Sequence, residues 1–155
     1  MKLKFAFSLV GLVIFALPMI INIAYVVFPP RGKSEQPAKI PRWIELTEKT
    51  SRIAYLLSIT LFVSQNQISF HSVWLWLATL FLVLYYAVWI RYFISGRNIE
   101  LLNRSFLHVP IPLAVFPVLY FLFAALWLNN IPAAIIMMIF AAAHITVSIK
   151  SFDNN

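Results

Sequence analysis

The sequence predicts an all-α fold, an integral membrane bundle of five transmembrane helices, and three observations carry that prediction. First, five apolar stretches, at roughly 5–28, 53–70, 73–94, 106–128 and 131–149, fill most of the 155 residues. Each is close to the about 20 residues a helix needs to cross a hydrocarbon core about 30 Å thick. Second, the composition is 62% hydrophobic and 11% charged, against about 45–50% and about 25% in soluble domains. A chain this apolar has too much greasy surface to stand alone in water, so residues 1–155 are expected to form one helical membrane domain.

The third observation is where the basic residues fall. If all five stretches cross, Arg31, Lys33, Lys39, Arg42, Lys49, Arg52, Arg91, Arg97, Arg104 and Lys150 share one side, and only Lys2 and Lys4 lie on the other. Cytoplasmic loops are enriched in Lys and Arg. The bias therefore places the N-terminus outside and the C-terminus in the cytoplasm. The net charge of +7 is then an orientation signal rather than a nucleic-acid footprint. The same tally favours a full crossing by 53–70, although Ser58, Thr60, Ser64, Gln65, Asn66 and Gln67 leave that stretch a short apolar core.

Taken in order, the first stretch comes after Lys2 and Lys4 but is too long for a signal peptide and lacks a small-x-small cleavage site, so it reads as a retained helix. Pro29-Pro30-Arg31-Gly32-Lys33 breaks the chain, and Pro37 and Pro41 punctuate the next segment. Pro41 suits a helix start, where its missing N–H costs nothing. Glu45 precedes Lys49, and Glu48 precedes Arg52, by the four residues that favour helical ion pairs. Residues 41–52 therefore read as an interfacial helix or as a cytoplasmic extension of the second crossing. Gly96 is placed to end the third helix in a left-handed conformation. Asn129-Asn130-Ile131-Pro132 forms a tight outer hairpin with Asn130 as N-cap. Ala134, Ala141 and Ser148 give the last helix a seam of small residues for close helix approach.

Function is constrained mainly by exclusion. There is no cysteine, and Asp153 is the only aspartate, so thiolate chemistry and paired-aspartate metal sites are out of reach. Gly occurs only at 11, 32 and 96, and no glycine-rich phosphate loop exists. No cofactor or metal is expected.

With the N-terminus outside, polar groups gather at the cytoplasmic level of four helices. Asn22 and Tyr25 lie on the first; Tyr85, Tyr86, Trp89, Arg91 and Tyr92 on the third. His108 opens the fourth, and His144 and Ser148 close the fifth. Interfacial Tyr and Trp need no ligand to explain them. Arg91 can either snorkel to a lipid phosphate or take a buried role. His144, flanked by Ala141, Ala142, Ala143 and Ile145, either bonds to a neighbouring helix or lines a polar cavity. Pro117 removes a backbone donor deep in the fourth helix, and in a membrane the freed carbonyl needs a partner or a wet cavity. Asn22, Tyr85, Arg91, His108, Pro117, His144 and Ser148 are thus the candidate ligand-binding residues around a cleft open to the cytoplasmic side.

Tyr85-Tyr86-Ala87-Val88-Trp89-Ile90-Arg91-Tyr92-Phe93, Gly96-Arg97, Pro110-Ile111-Pro112, Pro117-Val118-Leu119-Tyr120-Phe121 and Phe28-Pro29-Pro30 resemble a group of small, uncharacterised Gram-positive multi-pass membrane proteins. The resemblance brings no activity with it. In size and aromatic richness the chain is also similar to tryptophan-rich sensory and translocator proteins, without their Trp-x-Pro-x-Phe/Trp elements. Three functions stand as expectations. The first is non-enzymatic binding, transport or sensing of a lipid or apolar small molecule from the cytoplasmic leaflet. The second is an accessory or immunity-type subunit docking another membrane protein. The third is a small intramembrane enzyme using His108 or His144. The expected partners are membrane lipids, with a membrane protein or a second copy as further possibilities, and no nucleic acid.

Overall fold

A computed structural model describes residues 2–30, 40–98 and 100–152. Arg31, Gly32, Lys33, Pro37, Lys39 and Asp153 lie outside the described residues. The elements run β1 (Leu3–Phe5), α1 (Leu9–Val27), α2 (Arg42–Leu61), β2 (Phe62–Ser64), α3 (Val73–Ile94), α4 (Glu100–Asn103), α5 (Pro112–Trp127) and α6 (Ile131–Phe152). Apart from a two-stranded pair, the architecture is all-α.

The five long helices alternate in direction. Ser8 N donates to Thr60 O at 2.7 Å, which sets the start of α1 against the end of α2. Tyr92 Oη donates to Phe28 O at 3.2 Å, joining the ends of α3 and α1. Asn130, just before α6, donates to Ser58 O at the end of α2, and Trp127 at the end of α5 donates to Ser69 O before α3. Hence α1, α3 and α6 run one way while α2 and α5 run the other.

α1, α3 and α6 are each long and apolar enough to cross a membrane, and they are compatible with a membrane location. α2 carries Arg42, Glu45, Glu48, Lys49 and Arg52 between its start and its midpoint region, and α5 has only 16 residues, or roughly 24 Å. α5 is the central helix. It packs against α1, α3, α4 and α6, and buried residues, including Phe116, Val118, Tyr120, Phe121, Ala124 and Ala125, cover most of its circumference. α1 is peripheral, burying only the Gly11, Ile14 and Pro18 stripe.

Three boundaries differ from the sequence reading, each for a physical reason. The first helix starts at Leu9 rather than near residue 5, because the Ser8 hydroxyl caps it by accepting from Gly11 N at 2.9 Å. The preceding residues are extended and pair antiparallel with β2 in the register Leu3↔Ser64, Lys4↔Val63 and Phe5↔Phe62. Of the two readings of 41–52, the continuous one holds: these residues run without a break into the second stretch as one helix, α2, and the difference is that it stops at Leu61 rather than near residue 70. A helix end leaves its last carbonyls without intrahelical donors, and here Thr60 O and Leu61 O accept from Ser8 N and Ala6 N, while Phe62 O accepts from Asn130 Nδ2. Finally, α5 begins at Pro112 rather than 106. Phe106 and Val109 exchange backbone bonds of 3.1 and 2.9 Å across a two-residue turn in which Leu107 and His108 both have positive φ, 50° and 63°.

Close packing has a visible source at Gly11. A Cβ there would lie 2.0 Å from Ile59 O, so only glycine lets α1 and α2 approach this far. Gly96, with φ 73°, ends α3, and Arg97 N closes back on Tyr92 O at 3.0 Å in the pattern of a Schellman cap. The buried stripe of α6 is Ala133, Ala134, Met137, Phe140 and Ala143.

Candidate functional site

All five long helices contribute side chains to one cavity of about 250 Å³. α1 supplies Phe15, Pro18, Met19 and Asn22, and α2 supplies Arg52 and Tyr55. α3 adds Tyr85 and Trp89, α5 adds Leu113, Pro117 and Phe121, and α6 adds Met137, Phe140 and His144. The wall is mainly apolar, with polar groups at a few points, the usual make-up of a small-molecule site.

Prolines loosen two of the helices that build it. Proline cannot donate to the carbonyl four residues earlier. At Pro18 the freed acceptor is Ile14 O, which is taken by Tyr120 Oη from α5 at 2.8 Å. At Pro117 it is the carbonyl of Leu113, itself a cavity residue. Tyr55 Oη donates to Phe121 O at 2.7 Å, tying α2 to α5 at the cavity wall. Phenol-to-carbonyl bonds of this kind hold the bundle where apolar contact with lipid offers no preference.

Polar groups meet in two places. On one side Tyr85 Oη donates to Asn22 Oδ1 at 2.6 Å, and Tyr25 and Trp89 rings pack at 5.2 Å. Trp89 is 5% exposed; the Tyr85 hydroxyl lies beside it, yet among the described residues its Nε1–H meets no acceptor with hydrogen-bond geometry. On the other side Glu48 Oε1 is shared between Arg52 Nη2 at 2.7 Å and His144 Nδ1 at 2.9 Å. The Glu48 and His144 side chains are 12% and 24% exposed, whereas Arg52 is 51% exposed. The pair is therefore shielded, and the guanidinium reaches from it to the protein surface. Phe140 organises this end, stacking on His144 at 4.9 Å and lying under Arg52 at 5.5 Å.

Of the seven residues expected around a cleft, the fold brings Asn22, Tyr85, Pro117 and His144 to one cavity. Ser148 sits one turn along α6 and donates to His144 O at 2.9 Å. Arg91 turns elsewhere. It donates to Leu101 O, to Arg104 O at 2.9 Å and to Ser105 O at 3.3 Å, and lies over the Phe106 ring, so it clamps the connection between α4 and α5. His108 is exposed at the tip of its turn and takes no part in the cavity wall. It does not open the fourth long helix, because that helix starts four residues later.

From sequence Glu48 and Arg52 show a local helix pairing, and Glu48, like Glu45, is an interfacial carboxylate that could be brought near His108 or His144. The spacing Glu48, Arg52, Tyr55 and Ile59 places all four on one face of α2, and that face turns inward. That spacing is the signal for them. Trp89 reads as an interfacial aromatic, and nothing local distinguishes it from Tyr86. Among the described residues no group of three or more His, Cys, Asp or Glu side chains is arranged to hold a metal ion. Comparison with protein-family models, curated proteins and solved structures finds no match for the chain.

Proposed function

We propose that this is a multi-pass membrane protein that binds, transports or senses a lipid or apolar small molecule reached from the cytoplasmic leaflet, without turnover. The single observation carrying the reading is the cavity to which all five long helices contribute, apolar over most of its wall and polar at Asn22, Tyr85, Arg52 and His144. Its orientation rests on the basic residues. The alternating helix directions put Arg42, Arg97, Arg104 and Lys150 at one end of the bundle and Lys4 at the other, the asymmetry expected when the first end faces the cytoplasm. The cavity's polar residues lie in the half nearer that basic end. On this reading α2 and α5 complete five crossings, α5 being shielded by its neighbours and α2 being extended outward by the β1–β2 pair.

Native mass spectrometry of the detergent-purified full chain tests the proposal. A lipid or apolar molecule retained by the protein, and lost when Met19→Trp fills the cavity, is the expected result. A chain that carries no such molecule and is released with a stoichiometric second protein would overturn it in favour of an accessory subunit.

A further inference from the structure

Taking the cavity as a binding site, as proposed above, we infer that its occupant is an amphiphile seated by an oxyanion head group, a carboxylate or a phosphate. The wall is rich in donors, and its strongest acceptors are already engaged. Trp89 has a donor and no acceptor on its side chain; its buried Nε1–H has the Tyr85 hydroxyl beside it but no bond of full hydrogen-bond geometry among the described residues, and native proteins seldom leave such a donor without a ligand, water or ion. Asn22 spends its oxygen on Tyr85, leaving an amide nitrogen whose contact is the Met19 sulfur at 3.9 Å. Arg52 carries five N–H donors, and Glu48 engages it through Nη2. The polar end of a ligand that satisfies this wall accepts hydrogen bonds.

Charge selects further. Among the described residues Arg52 is the one carboxylate-matching cation on the cavity wall. Glu48 stands behind it, held between Arg52 and His144 and not itself part of the wall. The carboxylate thus fixes the guanidinium beside the His144 imidazole, where the cavity wall meets the protein surface. An oxyanion meets a charge-assisted donor there, and such bonds are about twice as strong as neutral ones. Size limits what enters. The cavity, about 250 Å³, is small beside sites for drug-sized ligands, which span about 300–1,000 Å³, so it takes a head group and its first carbons and leaves the rest of the chain outside.

Titration calorimetry on the full chain in neutral detergent tests this with three probes of equal chain length: a fatty carboxylate, a lysophosphatidate and the fatty alcohol. One or both anions are expected to bind about tenfold or more tightly than the alcohol, since a charge-assisted bond contributes roughly that much. Arg52→Gln collapses the anion-to-alcohol ratio toward one, Arg52→Lys keeps most of it, and Trp89→Phe weakens the anion about fivefold or more. Arg52 is half exposed, so its variants report on binding rather than folding, and unchanged helicity by circular dichroism checks this. Preference for the carboxylate identifies a fatty acid as the source, and preference for the phosphate identifies a phospholipid. Equal affinity for anion and alcohol, unaltered by Arg52→Gln, overturns the head-group assignment and leaves the cavity reading intact. Failure of all three probes to bind overturns both.

Discussion

The bond between Tyr120 Oη and Ile14 O has a specific partner in the chemistry of Pro18, and that makes it testable by a double-mutant cycle. Ile14 O is the acceptor that Pro18 cannot serve, and Tyr120, 4% exposed, supplies the missing donor from α5 at 2.8 Å. Tyr120→Phe keeps the ring and removes the donor, leaving a buried carbonyl unpaired at a cost of about 1–3 kcal/mol. Interhelical bonds in membranes average nearer 0.6 kcal/mol, so about 1–2 kcal/mol is the expected loss. In a Pro18→Ala background residue 18 regains its N–H and serves Ile14 O within α1, and the same tyrosine substitution then costs only about 0.5 kcal/mol. The coupling is therefore about 1 kcal/mol, roughly fivefold in the unfolding constant. The space vacated by the proline ring is common to the Pro18→Ala variant and the double variant, so its contribution cancels in the cycle. The assay is reversible unfolding in mixed micelles by added sodium dodecyl sulfate, followed by far-ultraviolet circular dichroism. Additivity of the two substitutions within about 0.3 kcal/mol would refute the account of Tyr120 as the substitute donor.

Asn130, 1% exposed, caps α6 through Ala133 N and donates to Ser58 O and Phe62 O; Asn130→Ala should lose about 2–4 kcal/mol in the same unfolding assay, and Asn130→Asp, which keeps the cap acceptor but not the donors, should fall between that variant and the unsubstituted chain. Gly11→Ala places a Cβ 2.0 Å from Ile59 O and should cost about 1–3 kcal/mol by overpacking; an unchanged midpoint would mean that α1 and α2 do not approach this closely. Replacing Leu107-His108 with Asn-Gly suits a turn in which both residues have positive φ, and should raise stability by up to about 1–2 kcal/mol without altering retained ligand. A loss of ligand in that variant would return His108 to the site.

Much of the helical layout is written locally. The ends of α3 are set by Ser72, whose hydroxyl accepts from Trp74 N, and by Gly96, and both signals lie within a few residues of the helix they bound. α2 is different, because the donors that let it stop at Leu61 come from Ala6, Ser8 and Asn130, more than fifty residues away in either direction. No window of sequence around Leu61 contains them. The site divides the same way. Depth along each helix puts Asn22, Tyr85 and His144 at one level with Pro117 deeper, and the bundle joins all four at the cavity. Depth alone does not say which way a side chain faces. Arg91 shares that level and serves the carbonyls of Leu101, Arg104 and Ser105 instead, and His108 falls outside the site because the chain turns once more before α5 begins. Glu48 lies in a charged interfacial segment from which a carboxylate could reach a histidine, and only the packing of α6 selects Glu48 over Glu45 and His144 over His108.

The position of α5 at the centre has a bearing on how the protein is made. It is the fourth of the five long helices to leave the ribosome, yet Tyr120 and the Phe121 carbonyl answer groups on the first and second. Until it arrives, Ile14 O and the Tyr55 hydroxyl lack the partners that α5 gives them, so the earlier helices cannot settle into their final packing on their own. The cavity closes only when α6 then supplies Met137, Phe140 and His144, so a chain ending after residue 127 has its central helix in place and its site still open on one side.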